Sequence, residues 1–186
     1  LCVASHRPEI AERRSIPISG GPENVQIRKA ILDDLPRLAS LGERLHGESD
    51  YAQYAFNAVK MYEYLCALIE SPDGIVLVGE QDSEIIGAFV GHVGSHWFGD
   101  CKVSYDLALF VVPERRGSML GVRFIKEYVR TAEAMGVDEI LIGNSTAVRS
   151  DRVEMVERLY ERLGFRRRSG NYRFHRFFSL PPKSQA

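Results

Sequence analysis

Apolar positions recur along this chain with two periods, and the switches between them mark out its elements. Val25-Gln26-Ile27-Arg28 alternates as a strand does, because successive side chains of a strand point to opposite faces. After Asp33-Asp34 the period lengthens: Leu35, Leu38, Leu41 and Leu45 share one helical face. Pro36 falls in the first turn, where a missing N–H costs nothing. A polar and aromatic stretch from Gly47 to Asn57 precedes a second helix from Val59 to Ile69, stopped by the turn Ser71-Pro72-Asp73-Gly74. Ile75 to Glu80 and Glu84 to Val93 read as a hairpin about Gln81-Asp82-Ser83, and Cys101 to Val112 as a third strand after the aromatic loop Gly94 to Asp100.

The pattern then predicts a long helix from Gly117 to Met135, with Val122, Ile125, Val129 and Ala132 on its apolar face and Gly136 as its stop. Asp138 to Gly143 is a further strand, Asp151 to Leu163 a last helix, and Phe165 to Phe178 a strand pair turned at Ser169-Gly170-Asn171. This order predicts one α/β (α+β) layered domain with a mixed sheet, spanning residues 24–178. Residues 1–23 lack sustained periodicity and read as an extension or arm, and residues 179–186 as a tail.

Composition narrows the partners. The chain has 186 residues, 45% of them hydrophobic, enough to bury the core of a single domain. A formal net charge of −1 predicts neither nucleic acid nor an anionic membrane as a bulk electrostatic partner. Three widely spaced cysteines argue against a disulfide framework or a cysteine-rich zinc site and fit a reducing cytosol. No apolar run reaches the ~18 residues of a membrane span, and Leu1 to Ile18 is too interrupted by charge for a secretory signal. A soluble, cytoplasmic protein is expected.

The chemistry gathers where the third strand meets the long helix. Leu107 to Val112 leads through Pro113-Glu114-Arg115-Arg116-Gly117-Ser118-Met119-Leu120-Gly121 into a helix with little side-chain bulk at its opening. Unbonded N–H groups and the macrodipole make such an opening an anion site, strengthened by Arg115 and Arg116. It is neither a P-loop nor a Gly-x-Gly-x-x-Gly fingerprint.

Val111-x-Pro113-x-x-Arg116-Gly117-x-x-x-Gly121 resembles the acyl-CoA pyrophosphate loop of the GNAT superfamily of N-acyltransferases, with Met119 where that family usually has its first glycine. Arg158-Leu159-Tyr160-Glu161-Arg162-Leu163-Gly164-Phe165 resembles the family's late helix and strand signature. The resemblance covers roughly Val25 to Phe178 and implies a mostly antiparallel central sheet flanked by helices. It also implies that acetyl-CoA donates an acetyl group to a primary amine by direct attack.

By resemblance, the segment Leu109 to Val111 binds pantetheine through its backbone, Phe110 and Val112 facing elsewhere, while Arg116, Gly117, Ser118, Met119, Gly121 and Val122 form the phosphate loop. Tyr160 is implied as the general acid for the departing thiolate, since a phenol of pKa near ~10 stays protonated at neutral pH. Asp106, lone carboxylate of an apolar strand, is the candidate base, with Glu48, His46, His92 and His96 behind it. Asn144, just after a strand, is a further candidate coenzyme contact.

Expected partners are acetyl-CoA and an amine acceptor, with no membrane, no nucleic acid and no metal; a homodimer stays open. Three other readings stand beside this one. The basic run Arg166-Arg167-Arg168 with Arg173, His175 and Arg176 suits an aminoacylated RNA acceptor. Met119 suits a domain that binds acyl-CoA without turnover, and Trp97-Phe98 suits a docking loop.

Overall fold

The computed structural model describes residues 25–143 and 153–167. Within them the chain forms β1 (Gln26–Lys29), α1 (Leu35–Glu48), α2 (Ala58–Glu70), β2 (Gly74–Gln81), β3 (Glu84–Ser95), β4 (Lys102–Val111), α3 (Leu120–Ala134), β5 (Glu139–Leu141) and α4 (Val153–Arg162). The strands lie side by side in chain order, antiparallel from β1 to β4, with β5 joining β4 in parallel. The mixed, mostly antiparallel sheet flanked by helices is therefore present. The strand pair predicted over Phe165–Phe178 lies mostly outside the described residues.

Both faces of the sheet are covered, as the continuous burial of Ile75, Val76, Leu77 and Val78 requires. A Cβ on Gly79 would come 2.9 Å from Phe124 Cζ, and one on Gly91 would come 2.6 Å from Tyr128 Cε2. Those missing side chains let α3 seat two aromatic rings against β2 and β3. Tyr128 also stacks on Phe89, centroids 4.1 Å apart. The opposite face, bearing Val76, Val78 and Ala88, is buried under α1 and α2, whose Leu35, Leu38, Leu41, Leu65 and Leu68 point into the same core.

Two details of α3 depart from its periodicity. The helix starts at Leu120 rather than Gly117, because Gly117 has φ +84°, outside the helical region. Its buried stripe is Leu120, Phe124, Ile125, Tyr128, Thr131 and Ala132, while Val122 and Val129 are only half-buried. The bulkier aromatic residues take the sheet-facing positions and rotate the valines to the edge.

Before α1, Asp34 closes the turn from β1. Its carboxylate accepts the Ile31 N–H at 2.8 Å and both Arg28 Nη groups at 2.7 and 2.9 Å. Hydrogen bonding from Arg28 holds the Asp34 carboxyl below the usual carboxylate range.

Tyr128 and Ser104 share a fully buried hydroxyl–hydroxyl bond of 2.5 Å that pins α3 to β4. Tyr128→Phe strands the Ser104 hydroxyl and Ser104→Ala strands the Tyr128 hydroxyl, so each should lower stability by about 1–3 kcal/mol. The double variant should lose clearly less than the sum, because no polar group is then left unpaired. Urea unfolding of the four proteins checks this, and strict additivity would deny the bond its role.

Candidate active site

β4 pairs along its length with β3 but with β5 only from Val103 to Tyr105. Just beyond, the register against β3 shifts: Val90 faces Ala108 and Gly91 faces Asp106, leaving Leu107 as a bulge. A bulge adds twist and bends its strand, so β4 turns away from β5 at this point. The phase of the ladder then fixes where its peptide groups go. Val112 N–H donates to Ile86 O at 3.0 Å, so Phe110 and Ala108, in step with Val112, also bond β3. Leu109 and Val111 turn their N–H and C=O groups the other way, toward the edge where pairing with β5 has ended. Phe110 and Val112 bury their side chains, at 4% and 7% exposure.

The loop after β4 is built from its own side chains. Pro113–Arg115 makes one 3-10 turn, and Gly117 then takes its left-handed φ of +84° with open space where a Cβ would stand. Ser118 Oγ donates to Arg115 O at 2.7 Å and accepts the Leu120 N–H at 3.3 Å. The N–H groups of Gly121 and Val122, in the first turn of α3, have no intrahelical acceptor. Met119 sits at the helix N-cap with φ −74°, an ordinary value for a residue with a side chain, and that side chain is 41% exposed.

Arg116 faces back into the protein. Its Nε donates to Val111 O at 2.8 Å, its Nη2 to Glu48 Oε2 at 2.6 Å, and the guanidinium lies 5.1 Å from the Phe110 ring centroid. Arg44 continues the chain of charges, 3.4 Å from Glu48 and 3.0 Å from Glu114. The loop is thus tied to the C-terminal end of α1 by alternating cations and anions. Sequence reading placed Glu48 among spare bases and had no view of Arg44. Their spacing of four on one helix was legible, but their partners in the loop were not.

At the parting of β4 and β5, Asp106 Oδ1 accepts the Gly143 N–H at 2.9 Å. Burial pushes the Asp106 carboxyl up, against that hydrogen bond, which lowers it. Two phenols feel its charge. Burial, with the Asp106 carboxylate adding to it, pushes Tyr160 up to about 12. Tyr128 also rises to about 12, mainly through burial. Tyr160 is held by the end of α4: Gly164, at φ +95°, stops the helix, and Phe165 N–H donates to Tyr160 O at 3.0 Å. The Phe165 ring then lies 5.9 Å from the Tyr160 ring.

The remaining candidates are dispersed. Asn144 lies outside the described residues. His46 rests on Phe56, His92 stacks on Tyr105, and His96 sits 3.9 Å from Phe98. No cluster of three or more metal-ligating side chains exists among the described residues. Of the basic run, Arg167 pairs with Glu157 at 3.5 Å. Trp97 and Phe98 are 88% and 71% exposed. No helix among the described residues is long and apolar enough to cross a membrane.

The sequence model of the acetyltransferase (GNAT) family matches residues 41–165, from α1 to the end of the Tyr160–Phe165 turn. The chain belongs to this family. An uncharacterized N-acetyltransferase of Schizosaccharomyces pombe is 32% identical over 95 residues, 51% of this chain and 53% of the relative. The match therefore spans about half the length of that curated relative. Solved structures share the GNAT fold at lower identity. An aminoglycoside acetyltransferase from an uncultured soil metagenomic sample superposes with a TM-score of 0.62 at 18% identity, covering 81% of this chain and 97% of that one. A Trypanosoma brucei acetyltransferase gives 0.61 at 17% identity over 81% and 99% of the two chains. An aminoglycoside N-acetyltransferase in complex with CoA gives 0.63 at 14% identity over 87% and 100%.

Arg116→Ala removes the tether between the loop, Val111 O and Glu48, and should cost about 2 kcal/mol of stability. Arg116→Lys should recover less than half, since an ammonium cannot bond both groups through a planar fork. Urea unfolding gives both values, and an alanine variant as stable as wild type would remove the tether from the account.

Proposed function

We propose that this GNAT domain transfers an acetyl group from acetyl-CoA to a primary amine by direct attack. One observation carries the reading: past Tyr105 and Leu141 the pairing of β4 with β5 stops, and the peptide groups of Leu109 and Val111 on that unpaired edge lead on to the N–H groups at the start of α3. An extended pantetheine arm matches the first part, since amides of the arm can pair with strand peptide groups as another strand would. A pyrophosphate matches the second, where Gly117 keeps bulk away and Gly121 and Val122 offer N–H donors beside the helix dipole.

The same geometry supports the chemistry. Inward N–H groups of β4 oppose the charge that develops on the thioester oxygen as the amine attacks. The carbon–nitrogen bond forms as the carbon–sulfur bond breaks, and the departing sulfur needs a proton. Tyr160 supplies it from a phenol that burial and the Asp106 charge keep protonated to about pH 12, so the donor form is available throughout the physiological range. The amine gives its proton to water. The cationic tether on Arg116 keeps the loop in place and leaves phosphate binding chiefly to backbone donors.

Acetyl-CoA should raise the melting temperature by mass action, by about 2.7 kcal/mol of stability at a hundredfold excess over its Kd. A folded protein whose melting is unmoved at millimolar acetyl-CoA would end the proposal. Thiol release from acetyl-CoA, followed across a panel of primary amines, then tests turnover.

Tyr160→Phe keeps the ring against Phe165 and removes only the hydroxyl. Turnover at saturating acetyl-CoA should fall by ~10²-fold to 10⁴-fold, with affinity for acetyl-CoA little changed. A variant that binds acetyl-CoA much more weakly but turns over normally at saturation would make the hydroxyl a coenzyme ligand instead of a proton donor.

A further inference from the structure

The parallel ladder between β4 and β5 stops one rung earlier than its phase allows, and a side chain stands at the stop. His96 N–H donates to Cys101 O at 2.9 Å, and these residues face one another in the β3–β4 register. Val103 and Tyr105, in step with Cys101, therefore bond β3, and Ser104 and Asp106 turn their peptide groups toward β5. On β5, Leu141 faces Tyr105. The next N–H on that edge is Gly143, and in a continued ladder it would reach the main-chain carbonyl of Asp106. It goes instead to Asp106 Oδ1, at 2.9 Å.

We propose that Asp106 is a positioning residue: its carboxylate takes the Gly143 N–H in place of its own main-chain carbonyl, ending the ladder and holding β4 and β5 apart at the mouth of the acyl-binding gap. A carboxylate oxygen stands farther from its strand axis than a carbonyl oxygen does. Accepting the bond there sets the strands wider than the ~4.8 Å spacing of a paired ladder while leaving no N–H unsatisfied. The bulge at Leu107, the next residue, bends β4 in the same place. The two devices divide the work: the bulge redirects β4, and the side chain receives the end of β5. The bond to Gly143 gives Asp106 Oδ1 a structural task and leaves Oδ2 available, so base and positioning residue are separated by the test below. The half-buried Asp106 charge also raises the Tyr160 and Tyr128 phenols, beside the larger effect of their own burial.

The use of the gap rests on the acetyl-CoA reading above, and the test separates the two. Asp106→Asn keeps an oxygen that accepts the Gly143 N–H and removes the charge; Asp106→Ala removes both. In the full chain, Asp106→Asn should bind acetyl-CoA within about threefold of wild type and, having lost the charge beside Tyr160, turn over more slowly by less than about tenfold, while Asp106→Ala should bind about tenfold more weakly or worse. Without ligand, amide exchange at Gly143 should be slow in wild type and Asp106→Asn and fast in Asp106→Ala.

Loss of turnover by ~10²-fold or more in Asp106→Asn, with acetyl-CoA affinity intact, would make the residue a general base and overturn the proposal. Wild-type affinity in both variants would overturn it as well. If wild type itself does not bind acetyl-CoA, the functional reading fails by itself, and equal Gly143 exchange in all three proteins would still refute the positioning role. Asp106→Asn is nearly isosteric, so the choice between base and positioning residue stands even if the alanine variant does not fold.

Discussion

A strand can satisfy both edges only while both neighbours stay at ladder distance, and β4 does so for only the first part of its length. Near its start the sheet is closed: Val103 and Ser104 are fully buried, and the Ser104–Tyr128 bond fastens β4 to α3. Past the Leu107 bulge one edge of β4 has no partner strand among the described residues. An open edge in a core would cost unpaired peptide groups, so it persists only where something else meets those groups. Arg116 meets the Val111 carbonyl and Asp106 meets the Gly143 N–H. Under the proposed function, Leu109 and the remaining N–H of Val111 receive the acetyl-CoA arm.

The loop that follows inherits its position from this strand. Arg116 reaches back to Val111 and across to Glu48, so the start of α3 is referenced to the end of β4 and to α1 at once. Half-burial makes these charge-assisted bonds stronger than an exposed pair would be. α3 is held independently by Phe124 and Tyr128 in the glycine-lined groove of the sheet. In the proposed acetyl-CoA site, a helix N-terminus held in this way needs little rearrangement to receive a phosphate, which lowers the ordering cost of binding.

Much of this was legible in one dimension. The helical period of Leu35, Leu38 and Leu41, the hairpin of β2 and β3, and the late Leu-Tyr-Glu run before Gly164-Phe165 are local patterns, and local sterics enforce them. The opening of α3 was read three residues early, because Gly117 is compatible with a helix start in sequence but sits at positive φ in space. The apolar face was misread for a similar reason: Val122 and Val129 are as hydrophobic as their neighbours, and only the shape of the sheet awards the buried positions to Phe124 and Tyr128.

Sequence by itself determined the order of strands β1 to β5 and helices α1 to α4, the family and the loop with two glycines, since each rests on short-range periodicity or contiguous residues. Tertiary structure alone decided what the charges do. Arg116 and Glu48 are 68 positions apart, and Gly143 and Asp106 are 37 apart. No periodicity links such pairs, because the bond between them depends on where two strands part and where a helix ends. The residue types announced which chemistry was at hand, and the register of β4 against β3 and β5 set which oxygen faces which N–H.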